Sequence, residues 1–207
     1  MQALDAKSLL NAVHARAVFN RRVRVLSQAI AATVPSGGRV LDLGCGDGSI
    51  AAAVMAQRPD LAFEGVDVLV RPHTHIPVTP YDGATLPFAD DSFDFVTVID
   101  VLHHTDDPGA VLAEAARVAR TAVILKDHLR EGILAGPTLR FMDWVGNRGH
   151  DVRLPYNYLD ATEWRSAYAR AGLHPEQVVD RLALYPQPFS AAFDRRLHFL
   201  ARLVAAH

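Results

Sequence analysis

Three glycines at alternate positions, Gly44, Gly46 and Gly48, form the stretch of the sequence whose residue types and spacing most directly suggest chemistry. A short apolar run that contains Asp42 precedes them, and a run of good helix formers begins at Ser49. Glycine lets the backbone turn sharply and approach a ligand closely, and the start of a helix offers unpaired amide groups. The stretch therefore predicts a strand, a turn and a helix that together bind a nucleotide-like ligand.

The spacing of the glycines distinguishes between kinds of ligand. A dinucleotide-binding turn has the pattern G-x-G-x-x-G, in which the third glycine allows close helix–strand packing beneath a pyrophosphate. Here the pattern is G-x-G-x-G, and the carboxyl group of Asp42 lies beside it. A carboxylate repels a pyrophosphate and attracts an ammonium group. An NAD-dependent oxidoreductase is therefore an alternative that the spacing disfavours.

A second acidic residue stands where a ribose would be bound. Residues 61–67 are predicted to form the second strand, and Asp67 at its end lies 21 residues after Gly46. An acid at this place can accept hydrogen bonds from ribose hydroxyl groups. Val68, the next residue, would form an apolar wall beside the base.

Two segments carry a family resemblance. Residues 40–48 resemble motif I of the class I S-adenosylmethionine-dependent methyltransferases, and residues 82–95 resemble their D-A-x-x-LPF-x-D-x-SFD segment. The chain looks most like the group that includes the ubiquinone and menaquinone C-methyltransferases. The resemblance implies that Asp82 accepts a hydrogen bond from the adenine amino group and that the Gly83 backbone lies near the ring edge. The implied cofactor is S-adenosyl-L-methionine, held by Asp42, Gly44, Cys45, Gly46, Asp67, Val68, Asp82, Gly83, Asp100 and Val101.

The resemblance spans residues 35–205 and implies one α/β domain of Rossmann-like architecture. We expect a seven-stranded, mostly parallel sheet with an antiparallel last strand and helices on both faces. The predicted parts of this domain, residues 1–207, are a helical cover (1–34), a cofactor-binding core (35–128), a lid insertion (129–159) and a C-terminal core (160–207).

Local patterns predict the bounds of several elements. Residues 3–33 show helical spacing, with Asn20, Arg21 and Arg22 between or within two helices. The family commonly has a full helix after the second strand, but here only eight residues lie between Asp67 and Ile76, and nearby prolines break a helix. The third, fifth and sixth strands are predicted at residues 76–79, 121–125 and 176–184.

Two histidines near the ends of predicted strands are candidates for proton transfer. His128 follows the fifth strand, and His103 follows the fourth strand and Asp100. The carboxyl ends of such strands face the ligand crevice. An imidazole with a pKa of about 6.5 can take a proton from the acceptor during methyl transfer. Lys126, on the same side of an extended chain, would lower the pKa of His128 and keep it neutral. Alternatively, both histidines only hold the backbone around them.

Aromatic residues of the lid insertion are candidates for contact with the acceptor. A helix is predicted over residues 133–145 and a loop over residues 148–154. Trp144, Tyr156 and Tyr158 offer flat apolar faces with polar tips, which suit an aromatic or prenylated acceptor. Ordinary packing of the lid is the alternative interpretation.

The bulk properties exclude several classes of protein. The 207 residues carry a net charge of -2, which gives no reason to expect a nucleic-acid partner. Cys45 is the single cysteine, so no intramolecular disulfide can form. His73 and His75 could chelate a metal, but no acids or further histidines surround them, so we expect no metal. No apolar run approaches the roughly 20 residues of a membrane span, and neither a membrane span nor a signal peptide is expected. We expect a cytoplasmic protein, and its oligomeric state is not indicated.

These observations together predict transfer of a methyl group to a small-molecule acceptor. The acceptor atom is an oxygen, carbon or nitrogen nucleophile, and the molecule is expected to be apolar or aromatic. The main alternative is a methyltransferase fold that binds the cofactor without catalysing this transfer, because a fold does not determine chemistry.

Overall fold

The computed structural model describes residues 6–146 and 155–206, with side chains described from Val18 onward. In chain order, the elements are α1 (Ala6–Thr33), β1 (Gly38–Leu43), α2 (Ser49–Met55), β2 (Leu61–Asp67), β3 (Val78–Pro80), β4 (Phe93–Ile99), a 3-10 helix (Leu102–His104), α3 (Pro108–Val118), β5 (Ala119–His128), α4 (Ala135–Gly146), α5 (Ala161–Arg170), β6 (Leu173–Val179), α6 (Ser190–Phe193) and β7 (His198–Ala205).

The seven strands form one sheet in the order β3-β2-β1-β4-β5-β7-β6. The first five strands pair in parallel, and β7 lies antiparallel between β5 and β6. The predicted Rossmann-like, mostly parallel seven-stranded sheet is confirmed. The strand order reverses between β1 and β4, so the carboxyl ends of these two strands form the switch point where open α/β sheets bind ligands.

Helices cover both faces of the sheet. Because successive side chains of a strand point to opposite faces, Val40 packs with Leu26 of α1 and Val54 of α2, whereas Leu41 packs with Leu112 of α3 and Trp164 of α5. Burial on both faces explains why the central strands are nearly continuous apolar runs.

Three predicted strand bounds were wrong. Strand β5 runs to His128, because Asp127 and His128 pair with Phe199 and His198 of β7. Strand β6 ends at Val179 rather than residue 184, because the chain then leaves the sheet and buries Leu182 and Leu184 in the core beside α1. Strand β3 begins at Val78 rather than residue 76, because Ile76 packs instead against the turn at Gly48.

The N-terminal segment is one continuous helix, so Asn20, Arg21 and Arg22 lie within it. Residues 68–77 contain no helix, as the prolines predicted. Helix α4 lies close to the helix predicted in the lid insertion, whereas the predicted loop 148–154 lies outside the described residues. None of the helices in the described part of the chain combines the length and hydrophobicity needed to cross a bilayer.

Candidate functional site

The glycine turn after β1 has the conformation that only glycine adopts readily. Gly44, Gly46 and Gly48 have φ angles of 70°, 58° and 75°. A Cβ atom on Gly44 would lie 2.4 Å from Val101 Cγ2, so the chain after β4 packs directly on this turn. A Cβ atom on Gly46 would meet no atom within 4 Å, so open space faces the turn there. The turn can therefore admit a ligand at Gly46 and is closed by Val101 at Gly44.

Asp67 connects the end of β2 to the glycine turn. Its Oδ2 atom accepts a hydrogen bond of 2.8 Å from the Gly46 amide, and its Oδ1 atom accepts one of 2.9 Å from the Leu69 amide. Each carboxylate oxygen has a further lone pair, which can accept a ligand hydroxyl. The structure thus orients Asp67 beside the turn, as a ribose-binding acid requires.

An apolar slot lies next to Asp67. Val68 is 63% exposed, and a Cβ atom on Gly83 would lie 3.2 Å from Val68 Cγ1. Asp82 Oδ1 accepts hydrogen bonds from the amides of Ala84 and Thr85, which hold the loop and lower the pKa of Asp82. The predicted adenine contacts Val68, Asp82 and Gly83 are therefore neighbours in the fold.

Asp42 and Cys45 face the interior of the protein. The Thr97 hydroxyl donates a 2.7 Å hydrogen bond to Asp42 Oδ1. Burial, with a smaller effect of the Asp67 charge, raises the pKa of Asp42 to about 7. The sulfur of Cys45 lies against Gly65 of β2, so only the backbone of Cys45 can contact a ligand in the turn.

These features fit S-adenosylmethionine, the cofactor that the resemblance implies. Open space at Gly46, acceptor oxygens on Asp67 and Asp82, and the apolar surface of Val68 suit its adenosine part. Asp42 provides a carboxyl group whose ionised form a nearby ammonium group would favour.

Asp100 is the centre of an ion-pair network at the end of β4, in which the side chains of Asp100 and Lys126 are buried and that of Arg22 is 46% exposed. Its carboxylate accepts hydrogen bonds from Lys126 Nζ of β5 and from the Arg22 guanidinium of α1. Although burial opposes its charge, Lys126 and Arg22 hold the pKa of Asp100 well below its usual value. Burial lowers the pKa of Lys126, and Asp100 opposes this effect. The network connects α1 to the sheet edge, because Arg22 of α1 and Lys126 of β5 bind the same carboxylate. Removing either cation would leave part of the buried charge of Asp100 uncompensated.

His103 forms a buried pair with Asp127. Its Nδ1 atom lies 2.7 Å from Asp127 Oδ1, and the Leu102 amide donates to Asp127 Oδ2. Burial opposes a charge on His103, but Asp127 and Asp143 outweigh it and raise the pKa of His103 to about 10. His103 is therefore an imidazolium cation at neutral pH.

The pKa of His128 shifts in the opposite direction from that of His103. Burial, the positive charge of His103 and that of Lys126 lower the pKa of His128 well below its usual value. The predicted effect of Lys126 on this pKa is confirmed, although burial and His103 contribute more. The two imidazole rings stack with centroids 4.5 Å apart. His128 Nδ1 is buried without a hydrogen-bond partner and lies 3.4 Å from Asp100 Oδ1. A neutral imidazole thus stacks on a charged one.

The predicted lid insertion, residues 129–159, contains two more members of this cluster, Asp143 and Tyr158. The Tyr158 hydroxyl donates a 2.5 Å hydrogen bond to Asp143 Oδ2. Asp143 Oδ1 lies 3.5 Å from His103 Nε2 and 4.0 Å from His128 Nε2. The Tyr158 ring stacks on both imidazole rings at centroid distances of 5.6 Å. Of the predicted acceptor-contacting residues, Tyr158 is thus the one that meets both histidines.

The other two aromatic candidates lie further out. The Tyr156 ring lies 6.3 Å from that of Tyr158 and under the Arg140 guanidinium. Trp144 is 49% exposed, and its ring lies 6.4 Å from that of Phe141. Contact of Trp144 with the acceptor therefore remains a prediction.

Sequence reasoning did not find Asp127 and Asp143 as site residues. Asp127 precedes His128 at the end of β5. Because side chains alternate between the faces of a strand, Asp127 points to the face opposite to that of Lys126 and His128. Asp143 is the single charged residue in the apolar stretch 141–145, which is a signal that could have found it. A buried acid among apolar residues of a helix needs a partner, and His103 and Tyr158 are two partners of Asp143 among the described residues.

The cluster also has the composition of a metal site. Ligand atoms of Asp100, His103, Asp127 and His128 lie within 4.8 Å of one another. However, Lys126 and Arg22 already neutralise Asp100, and three N–H groups donate to Asp127. Because the carboxylates are paired with protein donors, the donor set does not fit a metal ion.

Comparisons with known proteins agree with this geometry. A family model described as "Methyltransferase domain" matches residues 14–178. The chain is 28% identical over 181 residues to the 27-O-demethylrifamycin SV methyltransferase of Amycolatopsis mediterranei, covering 79% of this chain and 64% of that protein. It is 37% identical over 112 residues to the demethylmenaquinone methyltransferase of a Roseiflexus species, covering 49% and 46%. The chain thus spans between 46% and 64% of the length of these two relatives.

A solved structure shows the same fold. An S-adenosylmethionine-dependent methyltransferase from Thermotoga maritima superposes on the chain with a TM-score of 0.67 at 20% sequence identity. The superposition covers 96% of this chain and 97% of that one.

Proposed function

The chain belongs to the class I S-adenosylmethionine-dependent methyltransferases, and from this premise we propose that it methylates a nucleophilic atom of a small-molecule acceptor. The observation that carries the proposal is the stacked pair of a charged and a neutral imidazole, His103 and His128, at the sheet edge that also forms the glycine turn. His103 lies two residues after Val101, which packs on Gly44 of that turn. This short separation supports a proposal in which the acceptor lies beside the bound cofactor.

The cofactor, when bound, supplies a methyl group activated by a sulfonium. The protein contributes orientation, because alignment of the acceptor atom with the methyl group accounts for much of the rate enhancement. In the proposal, the turn at Gly46 and the carboxylates of Asp67 and Asp82 hold the adenosine part. Asp42 attracts the ammonium group.

The two histidines have different proposed roles. Neutral His128 takes a proton from the molecule that is to be methylated. Asp100 Oδ1, 3.4 Å from His128 Nδ1, stabilises the imidazolium that results. His103 already carries its proton, so it is a fixed positive charge that attracts the electron-rich acceptor atom rather than a base.

The acceptor is proposed to be an apolar or aromatic molecule. Tyr156 and Tyr158 present aromatic surfaces beside the histidine pair, and Trp144 is retained as a predicted contact. The names of the two curated relatives, which refer to a demethylrifamycin and a demethylmenaquinone, support an acceptor of this kind. No nucleic-acid partner is proposed, given the net charge of -2.

Asp67→Ala is expected to weaken binding of S-adenosylhomocysteine by roughly 10- to 150-fold, about 1.5–3 kcal/mol, the range for hydrogen bonds to a charged group. The variant loses both ribose acceptors and the bond to the Gly46 amide. Isothermal titration calorimetry measures the change. The control is Asp60→Ala, which removes a carboxylate paired with Arg58 away from the crevice and should leave the affinity unchanged. Equal affinities for wild type and the Asp67→Ala variant would remove Asp67 from the site.

Turnover with a methyl-labelled cofactor tests the proposed function. The protein is incubated with a panel of phenols, quinols, carboxylic acids and amines. Label in an acceptor, matched by an equal amount of S-adenosylhomocysteine, is the expected result. Tight cofactor binding with neither product across the panel would favour the non-catalytic alternative.

A further inference from the structure

The carboxylate of Asp143 lies where three polar groups of the crevice converge. The Tyr158 hydroxyl donates to its Oδ2 atom at 2.5 Å. The Nε2 atoms of His103 and His128 lie 3.5 Å and 4.0 Å from its Oδ1 atom. One of these imidazoles is a cation, and Asp143 is 7% exposed. The Tyr158 hydroxyl and the His103 imidazolium together form a site for an oxyanion beside His128, and the chain fills it with its own carboxylate.

Asp143 differs from the other carboxylate beside His103. Asp127 belongs to β5, is completely buried, and accepts hydrogen bonds from the amides of Leu102 and His128. Asp143 belongs to α4, outside the sheet, and Tyr158 lies in the same predicted insertion, residues 129–159. Withdrawal of Asp143 would therefore leave the hydrogen bonds between Asp127 and the backbone of the sheet edge intact.

We propose that Asp143 occupies the place of the acceptor's reactive oxygen, and that the acceptor is an acidic hydroxyl compound, a phenol, an enol or a carboxylic acid, bound as its oxyanion. This inference rests on the proposed function, because it names the acceptor class of the same site. The oxyanion replaces Asp143 and meets the same groups, the imidazolium of His103 and the hydroxyl of Tyr158.

The charges of the reaction agree with this arrangement. His128 takes the proton of the acidic hydroxyl as the acceptor binds. The oxygen then forms a bond to the methyl carbon, and the carbon–sulfur bond breaks with its electron pair left on sulfur. The negative oxyanion and the positive sulfonium are both neutralised, which yields an ether or ester and a thioether. The neutral product no longer pairs with His103, so Asp143 returns to the site and favours product release.

Carboxylate rescue tests the oxyanion site without any turnover. Asp143→Ala should lower the melting temperature, because His103 loses one counter-charge and the Tyr158 hydroxyl loses the stronger of two acceptors, with the Leu139 carbonyl still 3.1 Å away. Acetate should restore much of the loss, whereas chloride at equal ionic strength should not. The control is Leu139→Ala, which removes a completely buried apolar side chain from the same helix and should not respond to acetate. Acetate that stabilises neither variant, or both equally, would overturn the proposal.

A second variant keeps the test decisive if the Asp143→Ala variant does not fold. Asp143→Asn preserves the volume and removes the competing charge. This variant should bind the phenolate form of 4-nitrophenol roughly tenfold more tightly than wild type does. The visible absorption of the phenolate measures the binding. A tenfold change corresponds to about 1.4 kcal/mol. Unchanged phenolate binding would overturn the proposal. Neither test requires methyl transfer, so failure here is distinguishable from failure of the proposed function.

Discussion

His128→Gln is expected to lower kcat by roughly 10²–10⁴-fold with saturating cofactor, the usual contribution of general base catalysis. Glutamine keeps a polar group at the end of β5 but cannot take the acceptor's proton. The measurement is turnover against pH with an acceptor found in the labelling experiment. The control is His174→Gln on β6, an exposed histidine whose loss should leave kcat unchanged.

The pH profile separates a base from a structural residue. Burial, His103, Lys126 and His198 lower the pKa of His128, and Asp100 opposes them. A base must be unprotonated, so activity falls as pH drops through its pKa. Because that pKa is lowered, the acidic limb of the wild-type profile should lie below about pH 6.5. The His128→Gln variant should lack this limb. A loss below about fivefold with the limb intact would leave His128 a structural residue.

Asp42→Asn is expected to stabilise the free protein at and above neutral pH. The pKa of Asp42 is raised to about 7 in the folded protein, whereas in the unfolded chain the carboxyl group loses its proton at about pH 4. Between these two pH values the folded protein therefore keeps a proton that the unfolded chain has lost. The contribution of this group to stability is therefore present at low pH and is lost as pH rises towards 7. A pKa shift of this size corresponds to a loss on the order of 4 kcal/mol in the free energy of unfolding of the wild type as pH rises. The asparagine variant has no carboxyl group at this position and should not show the loss.

Chemical denaturation at pH 4.5 and pH 8 measures this effect as the difference between variant and wild type. The difference should increase with pH, and Asp60→Asn at the surface should show no such increase. S-adenosylhomocysteine should reduce the difference for Asp42, because its ammonium group favours the ionised carboxylate. A constant difference across the pH range would mean that Asp42 is ionised in the fold at all these pH values.

Local chemistry explains why much of the fold could be predicted from the sequence. The glycine turn requires positive φ angles, and the acids that precede helices bind the first free amides. Asp107 accepts hydrogen bonds from the amides of Gly109 and Ala110, and Asp160 forms a capping box with Glu163. Each of these signals acts over a few residues, so no distant partner is needed to interpret it.

Strand bounds that depend on distant partners could not be predicted in the same way. The last residues of β5 are polar and do not resemble a buried strand, but β7 supplies hydrogen bonds to them. The apolar residues after β6 resemble a strand, but Leu182 and Leu184 are buried beside α1 instead. In both places the partner decides the conformation, and it lies far away in the sequence.

The sequence by itself determined the strands and the glycine turn that carry the predicted cofactor-binding residues, because these elements follow from local patterns whose order the fold family shares. Only the tertiary structure decided the acceptor half. The pKa values there depend on distance and burial, and the fold brings Lys126 and Asp127 of β5 together with Asp143 of α4 around two histidines. Burial opposes the charged form of both imidazoles, but Asp127 and Asp143 outweigh it and raise the pKa of His103, whereas His103 and Lys126 add to it and lower the pKa of His128.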